Sequence, residues 1–283
     1  MDILQAVFLG LVQGLTEFLP VSSSGHLVAF QQILGIEEMG TTNLTFDVAL
    51  HLGTLVAVFV FYWQDIRGMI NEILLWMAEL IGLKKPSTGP NENGHRVMAL
   101  MLIVATIPTA IIGFLFNDLF EKMFSSTYII GFSLLITGTL LWISNRMVKG
   151  RKQPKDIITR DAVTIGLLQG MAITPGLSRS GTTIFAGMLR GFSVELATKF
   201  SFLLSIPTIL GAAVLEGIKV VKSGVRFTDS LPIVIGFIVA AVTGYFAIKF
   251  LVDLISRKKL HYFSYYCWGV GIFIILYTLT FMR

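Results

Sequence analysis

The stretch QGLTEFLPVSSSGH, residues 13–26, interrupts an apolar sequence with a carboxylate, a proline, three serines and a histidine. Largely apolar residues run before it from Ile3 to Val12 and resume after it from Leu27 to Phe30. Ionisable side chains are costly at membrane depth, so a dense group of them indicates a functional site. The stretch therefore predicts a break in a membrane helix and a place where chemistry occurs.

The second half of the chain contains a related stretch. Residues 165–184, IGLLQGMAITPGLSRSGTTI, align without a gap on residues 9–28, at an offset of 156 positions. Glycines, a glutamine and serines coincide, but the positions that carry chemistry differ, in the pairs Glu17 with Ile173, Ser23 with Arg179 and His26 with Thr182. The backbone design is thus repeated, and the reactive groups are divided between the copies.

The composition is that of a polytopic membrane protein. Of 283 residues, 54% are hydrophobic and 14% are charged, with a mean hydropathy of +0.77, whereas a soluble domain carries about 25% charge. The net charge of +5 comes from basic residues in short loops, as membrane topology requires, so nucleic acid is not an expected partner. The single Cys267 excludes an internal disulfide. Gln13 and Glu17 make a cleaved signal peptide unexpected at the start.

The apolar pattern predicts two broken helices and six full spans. Residues 3–19 and 25–34 are too short or too polar to cross a hydrocarbon core of about 30 Å, so they predict a re-entrant helical hairpin. Residues 161–190 predict a second hairpin. Between and after the hairpins come an amphipathic segment at 66–83, a polar connection at 117–126 and spans near 46–63, 96–116, 127–147, 194–220, 231–253 and 261–281.

Each half of the chain therefore consists of one hairpin and three spans. Because three is odd, the halves enter the membrane from opposite sides, which is the inverted-topology repeat of many transporters. The predicted fold is an all-α polytopic membrane protein with one membrane domain, residues 1–283. Its parts are a first repeat at 1–147, a basic joint at 148–160 and a second repeat at 161–283. The positive-inside rule puts the joint in the cytoplasm and both termini on the other side.

The second hairpin is suited to an anion. Its next helix starts at hydroxyl residues, where free backbone N–H groups and the helix dipole favour negative charge. Arg179 adds a planar charged fork that matches phosphate oxygens. The small donors beside it, and their counterparts in the first hairpin, are Ser178, Ser180, Thr183, Ser22, Ser23 and Ser24. A phosphate held between the two turns is the natural interpretation.

The first hairpin supplies the groups for a reaction. Glu17 lies one helical turn after Gln13, and a carboxylate beside a phosphate calls for a cation, so both residues are candidate ligands of Mg²⁺ or Ca²⁺. His26 is a candidate general acid, base or nucleophile, Ser23 is a second candidate nucleophile, and direct attack by water stays open. Asp47 and His51, one turn apart, are interpreted as a local polar pair near the membrane interface.

QGLTEFLPVSSSGH and PGLSRSGTT resemble the two signatures of the bacterial undecaprenyl-diphosphate phosphatase family, the BacA-type bacitracin-resistance proteins. The resemblance also covers FDVALHLGTLVAVFVFYW, residues 46–63, and extends over essentially the whole chain. It implies a metal-dependent enzyme of the bacterial inner membrane, open to the outer side. Such an enzyme hydrolyses undecaprenyl diphosphate to undecaprenyl phosphate and inorganic phosphate, which recycles the lipid carrier of cell-wall synthesis.

By the same resemblance, Glu17, His26 and Arg179 match essential residues of the family. The positions that match its polar site are Ser22, Ser23, Ser178 and Thr183. Gln13 stands where many members have Glu, and a neutral amide is a weaker metal ligand than a carboxylate. Gly- and Phe-rich helix surfaces would permit a homodimer.

A flippase or transporter for a lipid phosphate is the alternative, because broken helices that meet near the midplane are a transporter design. Such a protein would need Arg179 and the hydroxyl turns, but it would not need Glu17 and His26 beside the anion. Hydrolysis therefore accounts for more of the residues than transport alone.

Overall fold

A computed structural model describes residues 1–36, 41–83, 94–124, 126–147, 150–222, 230–257 and 259–281. Within these ranges the secondary structure is helical, apart from a single bridge between Lys152 and Phe192. The α-helices are α1 Ile3–Phe18, α2 Ser23–Ile33, α3 Thr41–Phe61, α4 Trp63–Leu80, α5 Gly94–Leu115, α6 Asn117–Phe124, α7 Thr127–Arg146, α8 Thr159–Met171, α9 Arg179–Leu189, α10 Val194–Lys222, α11 Ser230–Ser256 and α12 His261–Phe281. A short 3-10 helix, Pro154–Asp156, lies in the joint.

Five helices are long and apolar enough to cross a membrane, namely α5, α7, α10, α11 and α12. They coincide with five of the six predicted spans. The sixth, at 46–63, lies mostly in α3, which turns by 82° into the amphipathic α4 and counts as a span only if the bent pair is taken together. Multi-pass membrane character is therefore confirmed. The predicted connection at 117–126 is mostly helical, as α6. Residues 84–90 and 223–229 lie outside the described residues.

Both predicted breaks occur where the sequence places them. α1 ends at Phe18 and α2 begins at Ser23, while α8 ends at Met171 and α9 begins at Arg179. Phe18 is fully buried and meets Phe202 of α10 edge to face, with ring centroids 5.3 Å apart. The break of the first hairpin is thus anchored in the hydrophobic core one residue after Glu17.

Each hairpin packs against a helix of the other half of the chain. α1 lies along α11, and α8 lies along α5. The contacts use small residues, because Gly10 faces the carbonyl oxygen of Gly236, and Gly166 faces that of Ala105, so closely that a Cβ at either glycine would collide. Gly10 and Gly166 are counterparts at the offset found in the sequence. The same packing arrangement therefore occurs twice, once for each hairpin.

The turns of the two hairpins also meet each other in matching pairs. A Cβ at Gly25 would lie 3.6 Å from the Cα of Gly176, and a Cβ at Gly181 would lie 3.3 Å from the Cβ of Pro20. These pairs exchange under the offset of 156, since Gly25 corresponds to Gly181 and Pro20 to Gly176. The two breaks are consequently side by side in the folded chain.

Candidate active site

Glu17 is the centre of the site where the hairpins meet. It is buried, with 6% of the residue exposed. Its Oε2 atom accepts hydrogen bonds from the Ser23 hydroxyl at 2.8 Å and from the Gln13 amide nitrogen at 2.9 Å. Its Oε1 atom accepts from the Arg179 guanidinium at 2.9 Å. A buried carboxylate requires such partners, and here they come from both halves of the chain.

Arg179 links the second hairpin to the first. Among the described residues, besides Glu17, it donates only to the backbone oxygen of Ser201, at 3.4 Å. A guanidinium has five N–H donors, so most of its donors remain for a ligand. Its side chain is 16% exposed, against 4% for that of Glu17. The arginine can therefore bind an anion while it still contacts the carboxylate.

The two helix starts are built alike. Ser22 accepts a hydrogen bond from the backbone N–H of Gly25, and Ser178 accepts one from that of Gly181, so both serines are N-caps. Ser22 has φ of +70°, a left-handed conformation that is unusual for a residue with a side chain. These two predicted phosphate-binding hydroxyls are thus occupied in capping.

The free donors at the helix starts are backbone N–H groups instead. Those of the first two residues of α2 and of α9 make no hydrogen bond within the described part of the chain: Ser23, Ser24, Arg179 and Ser180. Unpaired N–H groups at a helix N-terminus attract anions. Two such starts, side by side and next to Arg179, offer a cradle for a phosphate.

The hydroxyls of Ser180 and Thr183 are turned towards protein groups. Ser180 contacts the Ser178 hydroxyl at 3.2 Å and the Leu19 carbonyl at 3.4 Å. Thr183 donates to the backbone of its own helix and lies 2.6 Å from the Ser201 hydroxyl. Both are almost fully buried, so in this structure they support the second hairpin.

His26 stands apart from the carboxylate group. Its Nδ1 atom is 2.8 Å from the Ser22 carbonyl oxygen, and its Nε2 atom is 2.7 Å from the Tyr266 hydroxyl of α12. The two rings stack at an interplanar angle of 14°. Both ring nitrogens are therefore engaged, and neither contacts Glu17 or Ser23.

His51 belongs to the site, so the interpretation of His51 as only a local polar partner of Asp47 is incomplete. Its Nδ1 atom lies 2.9 Å from the Gln13 amide nitrogen and 3.5 Å from Glu17 Oε2. Asp47 instead accepts a hydrogen bond from Gln31 at 2.8 Å. The cause is packing: α3 lies beside α1, so one turn of α3 faces the buried carboxylate.

A protein-family model matches nearly the whole chain. The family described as "Bacitracin resistance protein BacA" matches residues 6–273 of the chain. This chain belongs to the BacA family. The match runs from before Gln13 to beyond Tyr266 and so includes both hairpins and every residue of the site described above.

Individual relatives match this chain over nearly all of their length. The chain is 48% identical to a protein of Alkaliphilus metalliredigens over 99% of this chain and all of the relative. It is 45% identical to one of Halothermothrix orenii over 98% of each, and 44% identical to one of Methanobrevibacter smithii over 99% of each. All three relatives are named undecaprenyl-diphosphatase.

The residues present fit a divalent cation that is shared with a ligand. Within the described residues no three His, Cys, Asp or Glu side chains converge as a metal site. Glu17 offers one carboxylate, and the Oε1 atom of Gln13 is buried and has no hydrogen-bond partner. Mg²⁺ is commonly held by one or two carboxylates together with substrate phosphates and water, whereas Ca²⁺ takes six to eight oxygens. The donor set of this BacA family member is closer to that of a Mg²⁺ site than to that of a Ca²⁺ site.

His51 and Tyr266 are the site residues that the sequence reasoning missed. Tyr266 lies 240 positions after His26 in a helix of ordinary membrane character, so no local signal marked it. His51 carried a signal, because an imidazole in an apolar span needs a partner. The sequence pattern predicts a partner for His51 on its own helix, whereas its hydrogen-bond partner in the structure, Gln13, lies on α1.

Proposed function

We propose that this chain is an undecaprenyl-diphosphatase, which converts undecaprenyl diphosphate and water to undecaprenyl phosphate and inorganic phosphate. The names of the relatives supply the substrate. The observation that carries the proposal is the hydrogen bond of 2.8 Å from Ser23 to Glu17 Oε2, beside Arg179 on the other oxygen. An activated nucleophile typically has its hydroxyl hydrogen-bonded to a base, and the base is in turn oriented by other groups. Ser23 and Glu17 have this arrangement.

In this mechanism the two helix starts and Arg179 bind the terminal phosphate. Ser23 Oγ attacks the terminal phosphorus and gives its proton to Glu17 Oε2. The new P–Oγ bond replaces the bond to the bridging oxygen, whose electron pair leaves with undecaprenyl phosphate. Water then attacks the phosphoserine, Oγ takes back the proton from Glu17, and inorganic phosphate carries away the oxygen and both protons of the water.

Several groups of the chain stabilise the charge that develops on the transferred phosphoryl group. The guanidinium of Arg179 and the free N–H groups of α2 and α9 are aimed at it before the reaction, which is the usual source of catalysis in phosphoryl transfer. Glu17 and Gln13 would hold Mg²⁺, or Ca²⁺ in its place, and a bound cation would neutralise phosphate charge. His26, fixed at both nitrogens, maintains the turn at Ser22.

We also propose the predicted architecture of two inverted-topology repeats around this site, with residues 148–160 as a cytoplasmic joint. The paired contacts of the two hairpins support it, as does the packing of each hairpin on the other half. The family resemblance supplies the bacterial plasma membrane and a site open to its outer side. Termini outside the cytoplasm follow from this architecture and the positive-inside rule. The lipid substrate would enter from the membrane, and a homodimer is compatible with this arrangement.

The test is release of inorganic phosphate from a polyprenyl diphosphate by the protein purified in detergent with Mg²⁺. We expect turnover that EDTA abolishes and that Mg²⁺ restores. Ser23→Ala, Glu17→Gln and Arg179→Lys should each lower kcat at least about a hundredfold, as loss of an activated nucleophile or a charge-stabilising donor does. Glu195→Gln and Arg151→Lys, at exposed positions, are the matched controls. Lipid binding without phosphate release would instead support the flippase alternative.

A further inference from the structure

The amide group of Gln13 fixes the direction of the hydrogen bonds around it. Its Nε2 atom lies 2.9 Å from Glu17 Oε2 and 2.9 Å from His51 Nδ1. An ionised carboxylate only accepts, so one N–H of the amide donates to Glu17 and the other is directed to His51. The opposite orientation would bring the Gln13 oxygen against the carboxylate with no proton between them. His51 therefore accepts at Nδ1 and carries its ring proton on Nε2.

His51 meets the oxygen on which Ser23 depends. Its Nδ1 atom is 3.5 Å from Glu17 Oε2, the same atom that accepts the Ser23 hydroxyl. The charged groups that face His51 are Glu17 on α1, Arg179 on α9 and Asp47 on its own helix. As an acceptor, Nδ1 does not compete with Ser23 for the carboxylate oxygen. A chain of directed hydrogen bonds thus runs from Ser23 through Glu17 and Gln13 to His51.

The two histidines consequently differ in what they can influence. His26 is tied to the Ser22 carbonyl and the Tyr266 hydroxyl, away from Glu17. His51 is joined to the Ser23–Glu17 pair through one amide group. Its side chain is 36% exposed, and its Nε2 atom makes no hydrogen bond within the described residues.

We propose that His51 is a positioning residue for the reaction: its Nδ1 atom holds the Gln13 amide, and the amide holds Glu17 Oε2 towards Ser23. The inference rests on the proposed function, because it assigns the residue behind the proposed nucleophile and base. Without the acceptor the Gln13 amide can rotate, and Oε2 loses its fixed direction. Misplacement of a reacting group by about 1 Å costs about a hundredfold in rate. Binding of the diphosphate by Arg179 and the helix starts is untouched.

The kinetic test compares two substitutions at one position. His51→Leu removes the acceptor, and we expect kcat to fall about tenfold to a hundredfold with KM within about twofold. His51→Asn places an amide oxygen near the position of Nδ1, and we expect it to recover most of the lost kcat. In a Gln13→Leu background, His51→Leu should cause little further loss, because the two residues act as one unit. His95→Asn, at an exposed histidine of another helix, is the control.

Full activity of His51→Leu, or an Asn variant as poor as the Leu variant, would overturn the proposal. A second measurement does not depend on activity or on the folding of a variant. In protein labelled with ¹⁵N-histidine, the NMR resonances of His51 should show an unprotonated Nδ1 and a protonated Nε2. A protonated Nδ1 would contradict the inference. An inactive native protein with the expected His51 spectrum would refute the proposed function and leave the hydrogen-bond chain intact.

Discussion

His26 shows how a single side chain is fixed by partners distant in sequence. The Ser22 carbonyl can only accept, so Nδ1 of His26 carries a proton and donates to it over 2.8 Å. In the neutral ring Nε2 is then the acceptor for the Tyr266 hydroxyl at 2.7 Å. The tautomer is set by these two contacts. Tyr266 therefore connects α12 to the first turn of α2, immediately beside the cap at Ser22.

Replacement of Tyr266 by Phe should reduce turnover modestly. The substitution keeps the stacked ring and removes one hydrogen bond, whose net contribution is about 1 kcal/mol. We expect kcat to fall by up to about tenfold, because the first turn of α2 carries Ser23 and loses part of its support. Phosphate release under saturating substrate measures the effect.

The neighbouring Tyr265 provides the control for this substitution. It is exposed, and its ring contacts His261 and Trp268 rather than His26. Tyr265→Phe should leave turnover unchanged. Equal losses in both variants would mean that the effect arises from α12 as a whole and not from the contact with His26.

At the scale of helices, close packing of α8 on α5 depends on the absence of a side chain at Gly166. A Cβ there would collide with the carbonyl oxygen of Ala105 and the ring of Pro108. Backbone cannot move aside as a flexible side chain can, and overpacking of this kind costs about 1–3 kcal/mol. Small residues at helix contacts are the usual means of close approach in membranes.

Gly166→Ala should therefore lower the midpoint of thermal unfolding in detergent. Gly269→Ala is the matched control, because it lies within α12 and a Cβ there meets nothing within 4 Å. Alanine is a better helix former than glycine by about 0.5–1 kcal/mol, so the control should be as stable as the native protein or more so. A Gly166 variant as stable as the control would contradict the packing described for α8.

The helix breaks and the caps could be predicted from sequence because their causes are local. Proline, glycine and serine act on their own turn, so the starts of α2 and α9 fall where the pattern placed them. The partners of Glu17 and of His26 could be predicted only in part. Arg179 was predicted from the repeat, but His51 and Tyr266 come from helices whose relative rotation no local pattern specifies. Similarly, the 82° bend at Tyr62 joins two helical segments without a proline.

For the whole molecule, the paired contacts indicate more than similarity of two segments. Thr137 of α7 donates to the carbonyl oxygen of Gly176 at 3.2 Å, and Cys267 of α12 lies 3.5 Å from that of Pro20. Each contact joins the last helix of one half to the hairpin turn of the other. If the two halves packed only against themselves, the last helix of each half would contact its own hairpin turn and not the turn of the other half. The proposed inverted repeat, in which an axis relates the two halves, would produce this exchange.

Reporter fusions test the inverted arrangement of the whole chain. A reporter after Gly150 and one after Lys259 should be cytoplasmic, because both sites lie in basic segments, whereas reporters after Glu121 and at the C-terminus should lie outside. An odd number of spans separates Gly150 from the C-terminus, so these two reporters must differ in an inverted repeat. The same location for both would require an even number of crossings in the second half. In that case the second half would lack the odd number of crossings that an inverted repeat of one hairpin and three spans requires.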